Sequence, residues 1–123
     1  MFQQMRIARH TKSINDVKDF YCKLLGFKII GSFRDHQGYD GIFIGNKGEY
    51  HLEFTTSNET PNRIQDPDDL MVFYCETEAE YYKLEEILSH HKKVETRNPY
   101  WHDKGMTILD PDGNVVVICK TNW

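Results

Sequence analysis

His51 and Glu53 stand two residues apart in Tyr50-His51-Leu52-Glu53-Phe54, so on an extended strand both side chains point to one face. An imidazole and a carboxylate placed together offer two lone-pair donors to a divalent cation. They also offer a general base, provided burial lifts the carboxyl pKa. Arg6 can only donate, and its chemistry is charge balance or carboxylate recognition. The stretch Asn98-Pro99-Tyr100-Trp101-His102 gathers rings with polar tips in a loop, as walls and lids of ligand sites do. Tyr39 opens a strand beside Asp40, and Tyr74 shares a face with Leu70 and Val72. The ligand-contact candidates are therefore Arg6, Tyr39, His51, Glu53, Tyr74, Tyr100 and Trp101, with Glu53 alone a candidate catalytic group. Structural readings stand beside these: His51 as a partly buried histidine with a backbone partner, Tyr74 as a core tyrosine with one satisfied hydrogen bond, and Tyr100 and Trp101 as caps on one end of a core.

Other chemistries lack their residues. The chain has no Gly-x-Ser-x-Gly elbow, no Gly-x-x-x-x-Gly-Lys phosphate loop and no His-Glu-x-x-His pair. Cys22, Cys75 and Cys119 have no Cys-x-x-Cys spacing and read as reduced thiols packed as small hydrophobes. Cys75 and Cys119 fall in apolar strands, where burial raises a thiol pKa and blunts its reactivity.

The elements that must position these groups follow from local patterning. Residues 5–11 read as a strand, and Ser13-Ile14-Asn15-Asp16 has the form of a capping box. The helix it opens carries one apolar stripe (Ile14, Val17, Phe20, Tyr21, Leu24, Leu25) and ends at Gly26, a left-handed stop. Strands follow at 27–33, 39–45 and 50–56, each bounded by Gly, Asn or Asp. The Pro- and acid-rich stretch 57–69 is a linker or surface loop. Then the order restarts: a strand at 70–75, a second capping box at Thr77-Glu78-Ala79-Glu80, a helix burying Tyr81, Leu84, Ile87 and Leu88, and strands at 93–96, 105–109 and 114–119. Asp110-Pro111-Asp112-Gly113 joins the last two as a turn.

One shift of 64 residues relates Arg6 to Leu70 and Glu53 to Val117. The chain is thus an internal repeat of two βαβββ modules, about 5–57 and 69–121, expected to form a single α+β domain over residues 1–123 with a ligand cleft between curved mixed sheets.

The chain has 123 residues, 15 basic and 19 acidic, and a net charge of −4, which suits one domain and lacks the footprint of a nucleic-acid binder. The only dense basic run, His90-His91-Lys92-Lys93, sits at a helix end, where cations offset the macrodipole. No segment approaches the roughly 20 apolar residues of a membrane span, and the N-terminus lacks the pattern of a signal peptide. A cytoplasmic location is expected.

Over nearly its whole length the sequence resembles the vicinal oxygen chelate superfamily, the glyoxalase, bleomycin-resistance and extradiol-dioxygenase group. The resemblance is carried by Asp19-Phe20-Tyr21-Cys22-Lys23-Leu24-Leu25-Gly26-Phe27, His51-Leu52-Glu53-Phe54 and Asp110-Pro111-Asp112-Gly113-Asn114. Metal-using members place four ligands on the opening and closing strands of the two repeats, and the resemblance carries these onto Arg6, Glu53, Leu70 and Val117. Only Glu53 can bind a metal, so the inherited site looks dismantled. The resemblance also implies that Arg6 lies beside Glu53. His10, about 13 Å further along its strand at 3.3 Å per residue, is then out of reach as a replacement ligand. His102, on a loop, could swing in.

From this follows the expectation that the guanidinium takes the cation's place and forms a buried, bidentate pair with Glu53. The alternative is two side chains reaching solvent. The first functional reading is a metal-free cleft binding a small organic molecule, for sequestration or resistance, in a homodimer. The alternatives are a glyoxalase-like lyase or extradiol-type dioxygenase whose divalent metal is recruited by His51 and Glu53, and metal-free acid–base catalysis by Glu53.

Overall fold

The computed structural model describes residues 1–46, 48–62 and 64–120. The chain divides into two compact units at residues 63/64. In the first, strand β1 (Met5–His10) leads to Ser13, whose hydroxyl accepts from the Asp16 N–H at 3.2 Å and caps helix α1 (Ile14–Val17). The helix then widens into a π-helical stretch, Lys18–Leu24. The wider turn coincides with two adjacent aromatics, Phe20 and Tyr21, both of which are buried. Gly26 ends it at φ 82°.

Strands β2 (Ile29–His36), β3 (Tyr39–Asn46) and β4 (Tyr50–Thr56) complete a mixed sheet of order β1-β4-β3-β2, with β1 parallel to β4 and the other pairs antiparallel. β2 starts two residues later than the patterning suggests. The Phe27 N–H donates to the Tyr21 carbonyl at 2.9 Å and so still belongs to the helix end.

The register separates the two faces of this sheet. Ile7, Leu52, Ile44, Phe54 and Ile42 share the face against the helix, where the Tyr21 and Phe54 rings lie 5.0 Å apart. Arg6, Ala8, His10, His51, Glu53, Thr55, Phe43 and Phe33 share the opposite one.

The second unit repeats the plan. Strand β5 (Leu70–Tyr74) is followed by helix α2 (Glu78–Ile87), capped by the Thr77 hydroxyl on the Glu80 N–H, and then by β6 (Gly105–Leu109) and β7 (Val115–Cys119). The sheet order is β5-β7-β6, with β5 parallel to β7. Arg6 pairs with His51 and Leu70 with Val115, while Phe43 pairs with Glu53 and Thr107 with Val117, so the 64-residue shift relates the β1–β4 and β3–β4 ladders to the β5–β7 and β6–β7 ladders.

One expected strand is missing. Residues 93–96 make a single rung, from the Val94 N–H to the Thr107 carbonyl, and go no further. Side chains there bond locally instead: the Lys93 ammonium caps the Leu88 and His91 carbonyls at the end of α2, and the Thr96 hydroxyl donates to the Asn98 carbonyl at 2.7 Å. The turn after β6 folds around Asp110, whose carboxylate accepts from the Asp112 N–H, the Asn114 N–H and the Asn114 side-chain amide at 2.7–2.9 Å. The expected end of the second module, at 121, lies outside the described residues. Among the described residues no helix is long and apolar enough to cross a membrane.

Candidate functional site

The polar face of the first sheet gathers Arg6, His51 and Glu53. Parallel pairing sets Arg6 directly opposite His51 and Ala8 opposite Glu53. Arg6 Nε donates to His51 Nε2 at 2.8 Å, and the guanidinium carbon sits 4.7 Å over the Phe43 ring. Only one end of the fork approaches the acid, Arg6 Nη1 standing 3.7 Å from Glu53 Oε1.

This corrects the expected buried, bidentate Arg6–Glu53 pair. The Arg6 side chain is 50% exposed and that of Glu53 15%, and the register turns the guanidinium toward His51. It also corrects the plain reading of His51: the residue is 7% exposed, and its partner is a side chain rather than the backbone.

The floor of this face escaped the sequence reading. Gly31 pairs with Phe43, and Gly41 with Phe33. A Cβ on Gly41 would stand 2.4 Å from the Phe33 ring, and one on Gly31 would stand 3.2 Å from Phe43. Each ring therefore lies over a glycine on the neighbouring strand, and the two ring centroids are 5.9 Å apart. The signal was legible: Gly31-Ser32-Phe33 and Gly41-Ile42-Phe43 repeat one Gly-x-Phe spacing on adjacent strands.

Tyr39 lies on the same face at its far end, with its ring 6.0 Å from that of His10. His10 is held in place: Nδ1 is 2.9 Å from the Thr55 hydroxyl and Nε2 is 2.8 Å from the Glu59 carbonyl.

Tyr74, Tyr100 and Trp101 belong to the second unit. Tyr74 ends β5, on the face shared by Leu70, Val72, Val115 and Val117. Tyr100 and Trp101 stack edge-on at 4.8 Å in a short 3-10 turn, with the Lys104 ammonium 4.7 Å over Tyr100. Trp101 joins Tyr81, Glu95, His102 and Met106 in lining a pocket of about 340 Å³. There the Tyr81 hydroxyl is pushed above its ordinary value, first by burial and then by Glu85. His102 Nε2 is 2.8 Å from the Thr96 carbonyl and 3.5 Å from Glu95.

A divalent metal does not fit these residues. The His51 Nε2 lone pair is taken by an arginine N–H, Glu53 already faces a guanidinium, and the matching positions of the second unit are the aliphatic Leu70, Val115 and Val117. Among the described residues no group of three or more His, Cys, Asp or Glu is placed to hold an ion. The three thiols are free, and burial pushes the pKa of each above its ordinary value, which makes them poor nucleophiles.

A repeated mixed-sheet unit with a polar strand face of this kind is the architecture of the vicinal oxygen chelate superfamily, to which this chain belongs. Leishmania major glyoxalase I, trypanothione-dependent, matches the fold with a TM-score of 0.72 at 16% identity, over 97% of this chain and 86% of its own. The fosfomycin resistance protein FosX of Listeria monocytogenes, as an E126Q mutant complexed with Mn(II) and 1S,2S-dihydroxypropylphosphonic acid, matches with a TM-score of 0.72 at 13% identity, over 100% of this chain and 96% of its own.

Within the superfamily the chain belongs to the YycE-like family: the YycE-like N-terminal domain matches residues 5–55 and the YycE-like C-terminal domain residues 68–120. It is 41% identical to the uncharacterized protein YycE of Bacillus subtilis (strain 168), over 96% of this chain and 88% of that protein. The crystal structure of a YycE protein of unknown function from Bacillus subtilis aligns with a TM-score of 0.87 at 38% identity, covering 98% of this chain and 91% of its own.

Proposed function

We propose that this protein binds a small organic molecule on the Arg6–His51–Glu53 face without a metal, the Arg6 guanidinium supplying the positive charge there. The observation that carries this is the Arg6 Nε–His51 Nε2 bond, which occupies the lone pair an ion would need. The Phe33 ring supplies apolar surface beside Phe43, whose ring Arg6 covers, and Arg6 and Glu53 supply polar recognition of opposite sign. Of the relatives named above, FosX is complexed with a phosphonic acid and the Leishmania major glyoxalase I is trypanothione-dependent, both small organic molecules. The biological use is sequestration or resistance. A homodimer in the cytoplasm goes with this reading, a setting that three free thiols suit.

The test is a thermal-shift screen of aromatic and acidic small molecules on wild type, Arg6→Gln and Phe43→Leu. A true ligand at 100 times its Kd stabilises wild type by about 2.7 kcal/mol. Both variants should lose most of that gain. Hits that stabilise all three proteins equally, or no hit across a broad library, contradict the proposal.

A further inference from the structure

Residues 93–96 complete no strand, and they leave an opening. In the first unit β2 pairs with β3 along the sheet edge from Ile29 to His36, whereas the matching edge of the second unit, β6, receives a single rung at Val94. The space between β6, α2 and the 93–102 segment is the pocket of about 340 Å³, within the range of small-ligand sites. All of its lining residues belong to the second unit. Tyr81 on α2 and Met106, which pairs with Ile118 and so shares the face of Phe73, place it on the helix side of that sheet.

The side chains around it have spent their protons. The Lys93 ammonium gives two of its three to the Leu88 and His91 carbonyls, the Thr96 hydroxyl donates to the Asn98 carbonyl, and His102 Nε2 donates to the Thr96 carbonyl. What remains is mostly acceptors: the Glu85 and Glu95 carboxylates, His102 Nδ1 in the neutral ring, and the Tyr81 hydroxyl. Against them stand the third Lys93 proton and the Trp101 indole N–H.

Tyr81 is the buried member of this set, at 3% exposure. Its hydroxyl has no hydrogen-bond partner among the described residues, yet the one sealed-off side-chain polar atom without a partner among them is His51 Nδ1. The phenol oxygen therefore borders open space, and the open space that Tyr81 lines is this pocket. Lys120 stands over the Tyr81 ring, 5.6 Å from its centroid, but does not line the pocket. Among the described residues no three His, Cys, Asp or Glu side chains are placed to hold a metal ion. The cation that suits the site brings its own protons for these acceptors and an apolar body for Val94, Met106 and Trp101.

We propose that this pocket is a second binding site and that its ligand class is small primary amines, the ammonium held by Glu85, Glu95 and the Tyr81 hydroxyl and the apolar body lying against Trp101 and Met106. It stands independently of the reading of the Arg6–His51–Glu53 face.

Phenethylamine is the probe, compared with phenylpropionate, which carries an anion instead, and with phenethyl alcohol, which carries no charge. Each is titrated into the full chain and followed by the backbone and indole N–H resonances. Phenethylamine should shift Val94, Trp101 and Thr107 saturably and bind about tenfold or more tighter than the other two. The double variant Glu85→Gln, Glu95→Gln changes two exposed side chains, should melt as wild type does, and should weaken phenethylamine about fivefold or more. Tyr81→Phe keeps the ring, removes the hydroxyl and should weaken it about threefold or more. If a variant does not fold, the ranking of the three probes on wild type decides. No shift of these resonances by phenethylamine, shifts confined to the first sheet, equal or tighter binding of phenylpropionate or phenethyl alcohol, or unchanged affinity in either variant overturns the proposal.

Discussion

Arg6 does three things with one side chain: it donates to His51, approaches Glu53 and covers the Phe43 ring. Their energies differ. The contact with Glu53 is long and its arginine half solvated, so screening reduces it to about 0–1 kcal/mol. Glu53→Gln should therefore lower stability by less than about 1 kcal/mol in urea titration. Arg6→Met forfeits the bond to His51 and the cation–π contact together, about 1–2 kcal/mol. A loss of 3 kcal/mol or more in Glu53→Gln, the size expected when a buried ion pair is broken, would show that the pair is desolvated after all.

At the scale of the element, the turn between β6 and β7 is set by one buried carboxylate. Asp110 is 5% exposed and holds three donors, and Gly113 takes φ 83° to close the loop. Asp110→Ala strands those donors and should cost about 2–3 kcal/mol, seen as a lower urea midpoint with an unchanged slope. An effect below about 0.5 kcal/mol, the usual range for a surface substitution, would place the carboxylate in solvent.

These elements were largely legible in the sequence because their signals are local. Ser13 and Thr77 announce their helices, Gly26 and Asp110-Pro111-Asp112-Gly113 announce stops and turns, and alternation fixes β4 and β6 to the residue. The missing strand at 93–96 was illegible for a physical reason: its apolar alternation is weak, and Lys93 and Thr96 find backbone partners nearer than a neighbouring strand. The widened helix at Lys18–Leu24 has no periodicity that separates it from an ordinary one. In the site, the shared face of His51 and Glu53 followed from spacing alone. The direction of the Arg6 fork depended on a register that sequence does not state, which is why the buried Arg6–Glu53 pair was expected and the Arg6–His51 bond was not.

For the molecule as a whole, the thiols, Cys119 buried and Cys22 and Cys75 partly so, tie stability to pH. Burial holds Cys22, Cys75 and Cys119 above their ordinary value of 9.0 in the folded protein. The unfolded chain then gives up these protons first, so it binds fewer of them above that pH, and stability falls as pH rises from there toward the folded values. Urea midpoints should be level between pH 7 and 8 and decline above about 9, with a shallower decline in Cys75→Ala. A midpoint that rises over this range would contradict thiol burial.

On the proposed reading a guanidinium, rather than an ion, supplies the positive charge beside His51 and Glu53. Metal analysis tests it most directly: protein purified without chelator and then equilibrated with Mn²⁺, Fe²⁺, Ni²⁺ and Zn²⁺ is desalted and measured for bound metal per chain, alongside Glu53→Gln. Well under about 0.1 ion per chain is expected in both proteins, because among the described residues no three His, Cys, Asp or Glu side chains are placed to hold an ion. About one ion per wild-type chain, lost in Glu53→Gln, would contradict it, since a bound ion needs the His51 Nε2 lone pair that Arg6 occupies.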